Sequence, residues 1–294
     1  MITFQTIVAA ALLTANPAEE GCGAPAGTGA LLDTAGERIL LIGETHGTEQ
    51  APAFVTALAC LTIERGEATV VGLEQSHIEQ DRIDAFMESG GGPEARSALM
   101  DGSSFWDTSP MRDGRSSEAM FAMMDAIRQM RADGAEIELL ALDFDPVADA
   151  DIAEADNTRD AAMARRTLAA AERADRVIVL AGNVHTRATR YENGDYRVET
   201  IGSLLPRETF LSVNALTDGG SSWNCRGASI DTVECRVHES RGGTFDGPPR
   251  VLEDGEYGDT PQMQFYGDAY DRFVFLGRAT ASLPVIPLEE AGAD

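Results

Sequence analysis

No run of apolar residues in this 294-residue chain is long enough to cross a bilayer. The one N-terminal stretch of that kind, Ile7 to Leu13, falls well short of the roughly 20 residues a spanning helix needs. Basic side chains are scarce, with Lys and Arg together numbering 23 against 49 Asp and Glu, for a formal net charge of −26. A surface of that sign repels polyanions, which argues against nucleic acid and anionic lipid as partners. Several catalytic signatures are missing too. No Walker loop and no Gly-x-Gly-x-x-Gly follows an expected strand, so a nucleotide cofactor is not indicated, and no Gly-x-Ser-x-Gly marks a serine nucleophile.

Cysteine is limited to Cys22, Cys60, Cys225 and Cys235, and no Cys-x-x-Cys pair suggests a metal knuckle. An even count fits disulfides in an oxidising compartment and leaves no thiol for nucleophilic catalysis. Four cysteines allow three connectivities. The favoured one joins Cys225 to Cys235, ten residues apart in a Gly- and Ser-rich stretch, and Cys22 to Cys60. Residues 1–18 read as a signal peptide, an apolar run followed by small residues at Thr14–Ala18, although Met1–Thr6 lacks the usual basic residues. The acidity, the cysteines and this leader together point to a periplasmic or secreted protein. No lipobox precedes Cys22, so no lipid anchor is expected.

What is present is a βαβ pattern: short apolar runs that end in polar residues, separated by segments of helical periodicity. The runs are Arg38–Ile42, Ala68–Leu73, Glu136–Leu142 and Arg176–Ala181, with further strands at Thr209–Ala215 and Arg272–Leu276. The pattern predicts one α/β domain over residues 30–290, with a mostly parallel central sheet flanked by helices. Thr48 is placed to cap a helix carrying Phe54, Leu58 and Leu61. Ser116 or Ser117 is placed to cap another, over Glu118–Met130, whose methionines are spaced for burial. Two stretches break the alternation: residues 88–115, a candidate lid, and residues 218–262, which hold two of the cysteines.

Open parallel sheets bind ligands at the carboxyl ends of their strands. After the first run come Glu44 and His46, after the second Glu74 and His77, after the third Asp143 and Asp145, and after the fourth Gly182, Asn183 and His185. Three of only four histidines thus fall near strand ends, two of them in matching Gly-x-x-His turns, Gly43–His46 and Gly182–His185. The fourth, His238, reads as a surface residue beside the cysteine loop. Imidazoles and carboxylates gathered at one edge can hold a divalent metal and acidify its water. They can also activate water directly, through a histidine oriented by a carboxylate such as Glu44 or Glu74. Both routes lead to hydrolysis.

At these residues the sequence resembles a known superfamily. Leu41–Thr48 is similar to the opening motif of the erythromycin esterase-like and ChaN-like proteins, which include the Tiki and TraB types with paired Gly-x-x-His motifs. Arg159–Ala164 with Val179–His185 resembles the second block, and Thr200–Leu205 the segment after it. The likeness spans roughly residues 36–205. It implies an α/β domain whose polar pocket lies at the strand ends, and a hydrolase that cleaves an ester or amide bond of a small molecule or peptide. By position, His46 would be the base or a metal ligand, with Glu44, Glu74 and His185 completing the inner set. Arg159 would orient a carboxylate or a substrate carbonyl. If a metal is used, His46, Glu74, Asp143 and His185 are its expected ligands. The resemblance also implies an alternative, a periplasmic ChaN-type protein that binds haem or metal without catalysis. Against haem, Tyr191, Tyr196, Tyr257, Tyr266 and Tyr270 all fall away from the four strand ends in sequence.

Overall fold

The structure, a computed structural model, describes residues 17–287 except 35, 108–111, 153–157, 195, 228–231, 254 and 258–265. The expected signal peptide, residues 1–18, lies outside the described residues apart from Pro17 and Ala18. Among the described residues eleven strands are formed: β1 Ile39–Glu44, β2 Thr69–Ser76, β3 Ile137–Asp143, β4 Arg176–Gly182, β5 Tyr191–Asn193, β6 Tyr196–Val198, β7 Phe210–Leu216, β8 Gly220–Arg226, β9 Glu234–Ser240, β10 Arg250–Val251 and β11 Arg272–Phe275. Seven of them build one sheet in the order β10-β11-β7-β1-β4-β2-β3. Every pairing in it is parallel except β10 with β11. The other four make two separate hairpins, β5–β6 and β8–β9.

Both faces of the sheet are covered, which is why its central strands read as unbroken apolar runs. Leu40, Ile42, Ile178 and Leu180 face one core with the helices Gln50–Glu64 and Glu118–Ala132. Ile39, Leu41, Val177 and Val179 face a second core, which includes Met163 and Ala164 of the helix Thr158–Ala171. Ser117 caps the Glu118 helix by accepting from the Met120 amide at 3.4 Å. Met120, Met123 and Met124 are buried, so the methionine stripe is core. Thr48 does not cap the helix that follows it. That helix starts at Gln50, its N-cap position is Glu49, and no side chain caps it. Thr48 instead bridges to Ala281, pairing the β1 exit with the C-terminal segment.

The irregular stretches contain structure of their own. Residues 88–115 hold the helix Pro93–Met100 and the buried Trp106, while residues 218–262 hold the β8–β9 hairpin and β10. Disulfides join Cys22 to Cys60 and Cys225 to Cys235. The first ties the N-terminal helix Pro17–Gly21 to Gln50–Glu64, and the second crosses the β8–β9 hairpin between paired residues. Two such bonds fit an oxidising compartment. Among the described residues no helix is long and apolar enough to cross a membrane.

Candidate active site

Strands β1, β4, β2 and β3 are consecutive neighbours, so the residues at their carboxyl ends share one edge of the sheet. Glu44, Glu74, Asp143 and Gly182 belong to the strands themselves rather than to the loops beyond them, because the ladders run on past the apolar residues. Glu44 lies opposite Gly182 in the β1–β4 register. His46 and His185 follow in the turns.

Glu74 is the centre of the cluster. Its side chain is only 4% exposed, yet both oxygens are engaged. Oε2 accepts from the Gly182 amide at 2.8 Å and lies 3.5 Å from His46 Nε2. Oε1 accepts from Arg159 at 2.7 Å and Arg115 at 2.9 Å, and lies 3.7 Å from His185 Nε2. Each histidine is held from behind by a second carboxylate. His46 Nδ1 is 2.9 Å from Glu44 Oε1, and His185 Nδ1 is 2.8 Å from Asp160 Oδ2. Asp160 is fully buried and also accepts from the Ile201 amide at 3.1 Å. A carboxylate at Nδ1 fixes the tautomer with its N–H there and turns Nε2 inward. The arrangement is two carboxylate–imidazole pairs facing one buried carboxylate.

The arginines are shared outward in the same way. Arg159 Nε reaches the two Asp143 oxygens at 3.0 and 2.9 Å, and Arg115 Nη2 reaches Asp113 at 2.7 Å. Side-chain exposure is about 20% for both histidines, 22% for Arg115 and 40% for Arg159, so the imidazoles and guanidiniums form the accessible floor over buried carboxylates. Burial disfavours a charged His46, but Glu74, Glu44 and Asp113 outweigh it and raise its pKa to about 9. Burial likewise pushes the Glu74 carboxyl upward. His46, Arg115, His185 and Arg159 overcome this and hold it far below the usual carboxylate range.

The two Gly-x-x-His glycines serve close approach rather than unusual backbone, since neither has a positive φ. A Cβ on Gly182 would lie 3.0 Å from His46 Nε2 and 3.5 Å from Glu74 Oε2, inside the cluster. A Cβ on Gly43 would lie 2.5 Å from Thr186 Oγ1 and 3.2 Å from both Asn214 Oδ1 and the Tyr270 hydroxyl.

Of the residues expected from sequence, His46, Glu44, Glu74, His185 and Arg159 come together, and Asp143 joins them through Arg159. His77 does not, because its Nδ1 is taken by the Ala141 carbonyl at 2.8 Å. His238 is buried within the β8–β9 hairpin rather than on the surface. Two tyrosines distant in sequence reach the β4 exit, where Asn183 donates to the Tyr266 hydroxyl at 3.1 Å and the Tyr270 hydroxyl donates to the Asn183 carbonyl. Asp160, Asp113 and Arg115 were not expected as site residues. Asp160 follows Arg159 in a motif already noted, and successive helical positions diverge by about 100°, so the two side chains serve different partners.

The donor set does not suit a divalent metal. Arg115, Arg159 and the Gly182 amide occupy the Glu74 oxygens, and Arg159 occupies Asp143. Among the described residues, the one trio of metal-type ligand atoms within 4.8 Å of each other is Cys22, Cys60 and Glu64, and both of its sulfurs are in a disulfide. A haem iron would meet the same competition, because both inward imidazole nitrogens face Glu74.

Solved structures share this fold. The open conformation of an erythromycin esterase mutant, EreC, superposes with a TM-score of 0.62 at 13% identity, covering 88% of this chain and 95% of the other. A Bacillus cereus protein gives 0.58 at 11% identity, covering 85% and 90%. A succinoglycan biosynthesis protein gives 0.59 at 9% identity, covering 84% and 89%. No protein-family model and no curated protein matches the chain. At these identities the likeness establishes the architecture, while the chemistry rests on the cluster itself.

Proposed function

We propose that the chain is a hydrolase that cleaves an ester, or a comparably activated amide, with water and without a bound metal. The observation that carries this reading is the pair of histidines, each backed at Nδ1 by a buried carboxylate and each turning Nε2 toward Glu74. In this reading His46, oriented by Glu44, takes a proton from water as it attacks the carbonyl carbon. His185, oriented by Asp160, delivers a proton to the leaving oxygen or nitrogen. The exposed guanidinium edges of Arg115 and Arg159 face the charge that builds on the carbonyl oxygen. Glu74 holds all four groups in place. The products are an acid and an alcohol or amine. The esterase among the fold's solved neighbours favours the ester.

The test is turnover of a panel of activated and unactivated esters and amides by the wild-type protein and by His46→Ala. We expect ester hydrolysis that falls about 10²- to 10⁴-fold in the variant, with the thermal transition retained. A variant as active as wild type would overturn the assignment. Dialysis against a chelator should leave the wild-type rate unchanged, and a loss restored by a divalent ion would refute the metal-free route.

A further inference from the structure

Unlike Arg159, which the helix Thr158–Ala171 carries, Arg115 is carried by neither the sheet nor a helix. It sits on a short strap, residues 112–115, ahead of the helix Glu118–Ala132. Within the strap its contacts are all to Asp113, through its backbone amide at 3.4 Å and its guanidinium. Something outside the strap must therefore fix its position over Glu74.

Trp223 of β8 meets that need. Its indole Nε1 donates to the Arg112 carbonyl at 2.6 Å, and its backbone amide donates to the Gly47 carbonyl at 2.9 Å. Gly47 immediately follows His46, so one residue joins the turn bearing His46 to the strap bearing Arg115. The packing there admits no side chain. A Cβ on Gly47 would lie 1.7 Å from the Trp223 carbonyl oxygen, and one on Gly114 would lie 2.4 Å from the Gly47 nitrogen and 2.8 Å from that oxygen. Both glycines also have positive φ, +76° and +98°. The C-terminal segment closes the other side, where the Ser282 amide donates to the Gly47 carbonyl and Arg112 donates to the carbonyls of Ile286 and Pro287. Two residues beyond Trp223, the Cys225–Cys235 disulfide staples the hairpin.

We propose that Trp223 is a positioning residue. The β8–β9 hairpin clamps the strap against the β1 exit, and through it the Arg115 guanidinium is kept on Glu74. The catalytic consequence rests on the hydrolase reading, whereas the clamp itself does not.

The test uses Trp223→Phe, which keeps a ring and removes the indole N–H, together with the Cys225→Ser/Cys235→Ser double variant. Amide hydrogen exchange of the peptide covering residues 112–117 should accelerate in both, while exchange across β1 and β4 stays as in wild type. With an ester substrate, Trp223→Phe should lower kcat about tenfold with little change in KM. The same substitution made in Arg115→Met should cause no further loss, because the clamp acts through that guanidinium. Unchanged exchange at 112–117, or losses that multiply independently, would overturn the proposal. If wild type hydrolyses nothing, the exchange result still decides the clamp, so the two failures are separable.

Discussion

Glu74 has little contact with water, and it stays ionised because two guanidiniums, two imidazoles and a backbone amide converge on it. Removing that charge strands Arg115 and Arg159 in a half-buried site. Breaking one side of such a network costs about 3–5 kcal/mol when the remaining charge is buried. Glu74→Gln keeps the shape and part of the hydrogen bonding, so we expect a loss of about 2–3 kcal/mol in denaturant unfolding and near-complete loss of hydrolysis. His46 carries a second consequence. Its pKa is raised from 6.5 to about 9, and a raised folded-state pKa means that folding favours the protonated form. The resulting stabilisation is fully present below pH 6.5 and is lost as pH rises through about 9. Its size is up to about 3 kcal/mol, and unfolding curves of wild type and His46→Asn across that range should converge as pH rises. The proposed base must be neutral, so kcat/KM should climb about tenfold per pH unit below that inflection. A profile that instead falls through it would make His46 the acid and His185 the base.

At the level of elements, the site depends on strand ends lying side by side, and two glycines allow it in different ways. Gly182→Ala puts a methyl group beside His46 Nε2, so hydrolysis should drop at least tenfold with a small change in melting temperature. Gly43→Ala drives its methyl into the buried Thr186, Asn214 and Tyr270, so stability should fall by about 1–3 kcal/mol as well as activity. Calorimetry and initial rates on the two variants separate these outcomes; equal effects on both would show that the glycines share one role. The strands and their parallel arrangement were legible in sequence because burial on both faces writes them as continuous apolar runs. The residues just past those runs supplied four of the inner groups, Glu44, His46, Glu74 and His185. Asp160 and Arg115 were not legible, since periodicity does not report which helix face or loop folds back over a sheet edge. Tyr266 and Tyr270 escaped for a related reason: β11 pairs beside β7, which brings a segment some 80 residues downstream of Asn183 against the β4 exit. His238 reads as a surface residue beside the cysteine loop, yet it is buried where it pairs with Ser222 in the β8–β9 hairpin.

At the scale of the whole molecule, all 23 basic residues are arginine and none is lysine, so no side-chain amine is available for Schiff-base chemistry. Against a net charge of −26, the cluster's own cations are matched locally by Glu44, Glu74, Asp113, Asp143 and Asp160. The long-range field reaching the site is therefore negative, and it acts on approach rather than on the chemical step. Salt should reveal it, because the screening length shrinks from about 30 Å at 0.01 M to about 8 Å at 0.15 M ionic strength. With matched esters that differ in charge away from the scissile bond, kcat/KM for the anionic one should rise several-fold over that range. The neutral one should be flat, and the cationic one should fall. Should the anionic ester instead slow with added salt, the exposed guanidinium edges of Arg115 and Arg159 govern capture, and an acidic group on the natural substrate becomes part of its recognition.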